Sequence, residues 1–332
     1  MTTHEETLTR LDTRYHEWIA EHPTAATDFQ EVVEDLLVDS GVTYDRVTAR
    51  VKDWRSLNAK AQKTSPEGTP SYPDPWNDIH DIIGVRVTTY HSTEIPLVVS
   101  VLRDSFQVIR SVDKAAETRI SGGFGYGSHH VVIKVTDSMS ELSAYEGMSF
   151  EVQVRTVLQH AWAEFEHDIR YKGTDISLDP RIDRAFTLAA GLIELADQQF
   201  DQIAAIQSEP PAHTDDPALN AETLPGVLSV LIGDRFARSK SESYRWLEEI
   251  LSANGIHTVA QLRELLSEAD IAAVENAMKY RFQPGHVRII DDLLLRRFGK
   301  QHIERTTKGR RGASRGTRLR DRLQTMRHSE QQ

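Results

Sequence analysis

The sequence predicts a mixed α/β domain, a β-sheet flanked by helices, followed by a small all-helical domain. Three observations carry this. Three short runs rich in Val and Ile lie between residues 81 and 156, and helical periodicity surrounds them on both sides. A Pro-bearing acidic segment at 207–225 then separates them from a last set of short amphipathic stretches. At 332 residues the chain is long enough for two domains, each with its own core.

Taken in order, Leu8, Leu11, Tyr15, Trp18 and Ile19 recur at helical spacing, as do Phe29, Val32, Val33, Leu36 and Leu37, so the first sixty residues read as helices. Residues 64–75 hold Pro66, Pro70, Pro73 and Pro75 and read as a loop delivering the chain to a sheet. Strands are expected at 81–89, 129–135 and 150–156, with a helix at 94–106 between the first two. Helices follow at 157–171 and 181–206. Pro210, Pro211, Pro217 and Pro225 mark the linker. Beyond it, Trp246, Leu247, Ile250 and Leu251, then Leu262, Leu265 and Leu266, then Val287, Ile290, Leu293 and Leu294 outline short helices. The expected organisation is thus a first domain at 1–206, a linker at 207–225, a small helical domain at 226–299 and a basic tail at 300–332 without fixed structure until something binds it.

Composition excludes several classes. A hydrophobic fraction of 39% and a charged fraction of 27% are those of a globular protein, and no apolar run approaches the roughly 20 residues that span a bilayer. The start is acidic and lacks a basic segment followed by an apolar one. With Cys 0, neither a disulfide nor a thiolate zinc site can form, and a cytoplasmic location is expected. The net charge of -11 is segregated: the end is dense in Arg and Lys, the body correspondingly acidic. An acidic body argues against nonspecific duplex binding, whereas the tail can touch RNA, the ribosome or anionic nucleotides.

The chemistry-bearing residues concentrate in the predicted sheet. In Ser149-Phe-Glu-Val-Gln-Val-Arg-Thr156, Phe150, Val152 and Val154 alternate with Glu151, Gln153 and Arg155, giving one core face and one polar face. Alone, that is a solvated sheet face. A second strand, Asp81-Ile-Ile-Gly-Val-Arg-Val87, adds an acid, a space-opening Gly and Arg86. Two carboxylates on neighbouring strands with arginines beside them suit a magnesium-nucleotide site: hard oxygen ligands for the ion, cations for the phosphates. Arg50, Lys52 and Arg55 cluster in an expected helix or at its start. Gly122-Gly-Phe-Gly-Tyr-Gly127, followed by Ser128, His129 and His130, lets backbone approach a ligand and offers Phe124 and Tyr126 for stacking. In the helix from Leu158 to Lys172, Leu158, Ala161, Phe165 and Ile169 make a core stripe, and His160, Glu164, His167 and Tyr171 an adjacent polar one. That polar stripe lacks zincin spacing and reads as support for a neighbouring site.

These pieces, in this order over roughly residues 44–172, resemble the RelA/SpoT-type nucleotide synthetase domain, especially the stand-alone small alarmone synthetases. The resemblance rests on Arg50-Val-Lys52, Asp81-Ile-Ile-Gly-Val-Arg86, Gly125-Tyr-Gly-Ser-His-His130, Glu151-Val-Gln-Val-Arg-Thr156 and the run from Trp162 to Lys172. It implies a nucleotidyltransferase-like mixed sheet and a GTP pyrophosphokinase moving the β,γ-diphosphate of ATP to the ribose 3′-hydroxyl of GTP, GDP or GMP. By it, Asp81 and Glu151 correspond to the Mg2+ carboxylates, and Glu151 also to the base for the 3′-hydroxyl. Arg50 and Arg86 correspond to the pair that sandwiches adenine, and Lys52 to a phosphate contact, with Arg55 beside them on the ATP side. Tyr126 corresponds to the residue stacking on guanine, and His130, Gln153 and His167 fall in the acceptor half. The chain departs from the family's usual Gly-Tyr-Arg-Ser at Gly127, where an acceptor-side arginine is missing.

Transfer of this kind needs cations and one activated hydroxyl rather than a covalent nucleophile, so the absence of a Walker-type loop is no objection. Three alternatives are weighed. His80-Asp81 and His167-Asp168 invite an HD-type phosphohydrolase, but Asp81 opens a β-branched run rather than sitting on a helix. A toxin-type relative modifying tRNA 3′ ends, or making an adenosine alarmone, would suit the basic tail. An inactive nucleotide sensor is disfavoured by retention of both carboxylates. The expected partners are ATP and a guanosine nucleotide; a homo-oligomer and an RNA or ribosome contact through the tail are allowed, a membrane is not.

Overall fold

The computed structural model describes residues 4–114, 127–137, 139–172, 180–207, 219–307 and 312–330. Two compact units emerge, one of residues 1–35 and 44–205, the other of residues 36–43 and 206–332. No helix among the described residues is long and apolar enough to cross a membrane.

The first unit is built on one mixed five-stranded sheet. Its strands are β1 (Arg46–Val51), β2 (Ile83–Thr89), β3 (Gln107–Asp113), β4 (His129–Lys134) and β5 (Ser149–Thr156), ordered β1-β2-β5-β4-β3. Only β2 and β5 run parallel; the other pairs are antiparallel. Central β5 alternates as its sequence dictates: Phe150, Val152 and Val154 are fully buried, while Glu151 and Gln153 stay partly open. Phe150 sits 4.8 Å from the ring of Phe29 and 5.5 Å from that of Phe106. Helices α1 (His4–Glu21), α2 (Ala25–Ser40), α3 (Trp54–Ala61), α4 (Pro75–Asp78) and α5 (Glu94–Ser105) accompany the sheet, and α5 packs on β5 through a stripe including Val98, Val101 and Leu102.

Around the start of β2, Leu11, Tyr15, Leu57, Ala61, Ile79 and Ile82 form one apolar cluster. Tyr15 donates its hydroxyl to the Lys52 carbonyl at 2.8 Å, fixing the turn between β1 and α3. After β5 come α6 (Val157–Lys172) and α7 (Pro180–Gln207), joined by the Trp162 and Phe186 rings at 5.2 Å.

The sequence reading assigned β2, β4, β5 and the helices 94–106, 157–171 and 181–206. It missed β1 and β3. Both are edge strands: β1 carries Arg46, Thr48 and Arg50 on its open face, and β3 is largely exposed, so neither shows the apolar run of a central strand. Arg50 and Lys52, expected on a helix or at its start, therefore lie on β1 and in the turn after it.

In the second unit, helices α8 (Leu224–Ile232), α9 (Ser241–Ala253), α10 (Val259–Leu265), α11 (Glu268–Met278), α12 (His286–Phe298), α13 (Lys300–Thr306) and α14 (Gly312–Glu330) enclose a core with Leu228, Leu247, Val274, Ile290 and Leu294 at its centre. Thr258 and Gln261 close a reciprocal capping box at the start of α10. Residues 36–43 join this unit through backbone. Gly285 N–H donates to the Asp39 carbonyl at 2.9 Å, and a Cβ on Gly285 would stand 2.6 Å from the Gly41 Cα, so the two chains can touch only as glycines.

The tail expected to lack structure from residue 300 is instead helical over α13 and α14. Leu319, Leu323 and Met326 enter the core at helical spacing, while Arg315 and Arg322 reach buried Asp291 and Asp292. The apolar stripe is thin, three residues among many arginines, and the arginines find internal carboxylates that a linear reading does not reveal.

Candidate active site

Strand register assembles the polar face of the first unit. Glu151 lies opposite Gly84, and Gly84 opposite Arg50; Gln153 lies opposite both Arg86 and His130. Thus Arg50, Arg86, Glu151, Gln153, Arg155 and His130 project from one side of four adjacent strands. Gly84 bears no side chain, and the Arg50 side chain lies over the space this leaves, its Cγ and Nε 4.0 Å from where a Cβ would be.

Asp81 stands in the turn immediately before β2, three residues ahead of the Gly84 that pairs with Glu151. Lys52 Nζ binds one of its oxygens at 2.8 Å and Lys60 Nζ the other at 2.9 Å. Burial alone would raise the Asp81 pKa, but the hydrogen bonds and charges of the two lysines hold it below the usual carboxylate value. Glu151 behaves alike: burial raises it, His130 and Gln153 more than offset that, and the negative charge of Asp81 pushes it part of the way back. The Gln153 amide donates to Glu151 Oε1 at 2.8 Å, and His130 Nδ1 lies 3.3 Å from the same oxygen. Both acids are ionised at neutral pH and close enough to repel.

The cations are less well matched. Arg155 is almost fully buried, donates to Gln153 Oε1 at 2.5 Å, and has its pKa lowered to about 10, by burial first and by the Arg86 charge second. Arg86 binds Glu164 of α6 at 2.9 Å and lies 3.5 Å from His160. The Nε atoms of both Arg86 and Arg155 are buried without a partner among the described residues. Two guanidiniums this close repel each other, and an anion beside them would offset that repulsion.

Of the other expected residues, Arg55 is exposed on α3, and His167 is exposed on α6 three residues beyond Glu164. Tyr126 lies outside the described residues. Lys60 went unnoticed in the sequence, although it falls eight residues after Lys52 and near Arg55; on an amphipathic helix it looked like ordinary solvated charge. Arg155 was noted only as part of the polar face.

The donor set bears on which ion this face could hold. No group of three or more His, Asp or Glu side chains suited to a metal occurs among the described residues. Two carboxylates are a donor set of the kind Mg2+ accepts, since it takes one or two from protein and its remaining oxygens from phosphates and water.

Residues 49–176 match the family described as "Region found in RelA / SpoT proteins". Over that stretch this chain is similar to RelA / SpoT proteins. The region starts within β1 and runs past the end of α6, and it includes every residue of the polar face. Among curated relatives it resembles the GTP pyrophosphokinases YjbM and YwaC of Bacillus subtilis (strain 168), at 31% identity over 131 residues and 28% over 130. These alignments cover 38% and 39% of this chain, and 56% and 59% of the respective relatives, so the chain spans less than two thirds of their length. Among solved structures it is similar to the small alarmone synthetase 1 from Bacillus subtilis, with 21% identity, a TM-score of 0.47, and coverage of 59% of this chain and 100% of that one. The same enzyme bound to its product pppGpp aligns at 22% identity with a TM-score of 0.47, again over 59% of this chain and 100% of that one.

Proposed function

We propose that the first unit transfers the β,γ-diphosphate of ATP to the ribose 3′-hydroxyl of a guanosine nucleotide. The observation that carries this is the pairing of two ionised carboxylates, Asp81 and Glu151, with lysines on one flank and incompletely satisfied arginines on the other. The RelA/SpoT region and the GTP pyrophosphokinase relatives support it.

In this reading Asp81 and Glu151 hold Mg2+, which when bound offsets phosphate charge and polarises the transferred group. Arg50 and Arg86 grip the adenine of ATP, and Lys52, Lys60 and Arg155 face its phosphates. For Arg86 to do so it must leave Glu164, whose carboxylate is 57% exposed; an exposed ion pair is worth only about 0 to 1 kcal/mol, so the exchange is cheap. The acceptor is assigned to His130, Gln153 and His167, and Tyr126 is the residue that the resemblance gives for stacking on its base. Glu151, held ionised, takes the proton of the 3′-hydroxyl as that oxygen bonds to the β-phosphorus. The bond from the β-phosphorus to the α,β-bridging oxygen breaks, and AMP leaves with the electron pair. Positioning and charge do the rest.

Gly127 keeps one question of acceptor identity for experiment, since the loop offers no arginine there. Labelled ATP incubated with GTP, GDP, GMP or tRNA decides it. Label appearing in a 3′-diphosphorylated guanosine nucleotide is the expected result; label in tRNA, or none anywhere, overturns the assignment.

A further inference from the structure

Helix α14 divides its arginines between two tasks. Arg315 and Arg322 turn inward to Asp291 and Asp292. Arg320 and Arg327 turn outward and, with Lys300, Glu304 and His328, border a groove of about 520 Å³ between α13 and α14 whose floor includes Ile303 and Leu323. Lys300, Arg320 and Arg327 have no carboxylate partner among the described residues; Arg320 makes only a 3.1 Å bond to the Thr317 hydroxyl. In a chain of net charge -11, three cations around one groove facing a single carboxylate, Glu304, are not balanced by their surroundings.

We infer that this groove binds the phosphodiester backbone of a nucleic acid, independently of its sequence. The unpartnered cations supply the attraction. The form of the site selects a polymer over a small ligand. Its cationic side chains are exposed, whereas a small-molecule site encloses most of its ligand; a backbone needs contact on one side only. Among the described residues no Phe, Tyr or Trp lines the groove and His328 is its one ring, so the cations at its rim rather than a stacking platform carry the binding, which is to backbone. The site is preformed, because α14 is pinned by Arg315, Arg322 and its apolar stripe. It is separate from the catalytic reading and stands or falls without it.

The test uses the full chain without nucleotides, titrated into fluorescently labelled single-stranded RNA, duplex RNA and duplex DNA of mixed sequence across a salt series. With about three phosphates neutralised, at roughly 0.7 to 0.9 per phosphate, the slope of log affinity against log salt is expected between about -2 and -3. The combined Lys300→Gln, Arg320→Gln and Arg327→Gln variant is expected to lose at least about tenfold in affinity and most of that slope. Arg245→Gln, Arg263→Gln and Arg281→Gln together remove equal charge from exposed positions elsewhere in the unit and should bind nearly as the parent does. An unchanged thermal midpoint certifies the fold of each; if the first variant unfolds, Arg320→Lys with Arg327→Lys, which should retain binding, and Arg320→Glu alone, which should not, replace it. Equal loss in the two triple variants, or no loss in the first, overturns the inference. Loss caused instead by Glu151→Gln would place the nucleic acid in the first unit and overturn it as well.

Discussion

The two units handle buried charge in opposite ways. In the second, Asp291 is only 2% exposed yet saturated: His302 Nε2 at 2.9 Å, Arg315 at 2.7 Å and Arg322 at 3.2 Å. Asp292 is as fully enclosed, taking Tyr280, Arg288 and Arg322. Every carboxylate oxygen there has protein partners, and the result is a lock that fastens α14. On the polar face of the first unit, by contrast, like charges are set side by side: Asp81 repels Glu151, and Arg86 repels Arg155. Residue types are the same in both places. Carboxylates whose every oxygen meets an opposite charge or a donor mark a structural network, and like charges held together at an opening mark one that awaits a ligand.

The largest expected effect tests the second half of that contrast. Glu151→Gln should lower diphosphate transfer by about 10² to 10⁴, the range for losing a general base, while changing unfolding free energy by less than about 1 kcal/mol, since relief of repulsion from Asp81 offsets weakened hydrogen bonds. A large stability loss in this variant, measured by denaturant titration, would break the comparison. Asp291→Ala should do the reverse. Stripping the carboxylate leaves Arg315 uncompensated, Arg322 with Asp292 alone and His302 without its acceptor, for a loss of about 3 to 5 kcal/mol in the same titration. If Asp291→Ala unfolds no more readily than the parent, the lock is not one.

A smaller effect comes from His286, which is wholly buried. Tyr244 accepts the Ser239 N–H at 3.1 Å and shares a 2.8 Å hydrogen bond with His286 Nδ1. Burial, and then the Arg238 charge, push the ring pKa down from 6.5 to about 4. A depressed histidine pKa means that the unfolded chain binds the proton first. The stability this contributes is therefore present above pH 6.5 and is lost progressively as pH falls toward about 4, by roughly 3 kcal/mol in all. Thermal unfolding between pH 7 and pH 4 should show that decline, and His286→Gln should flatten it. Asp291, held far below the usual carboxylate range, does not titrate in this window.

Legibility in the sequence followed how each residue's environment is made. Central β5 was readable because alternation is enforced by burial on one side, and Glu151 and Gln153 came with it. Asp81 was readable from its place before a β-branched run. Lys60 was not, since what makes it notable is a carboxylate 21 residues away brought to it by folding. Edge strands β1 and β3 hid behind their exposed faces. The structure of the tail was hidden for the same reason as Lys60: the partners of Arg315 and Arg322 lie 24 and 31 residues back.

The contact between Gly41 and Gly285 bears on the order of assembly. Eight residues from the early part of the chain, 36–43, belong to a unit whose remaining sequence starts at 206, and their seat is made by residues 238 and 285. During synthesis that short piece waits unpaired until the last third of the chain has appeared. A fragment beginning at 206 would lack it altogether, so dissecting this protein at the obvious boundary would yield a helical half with a missing stave.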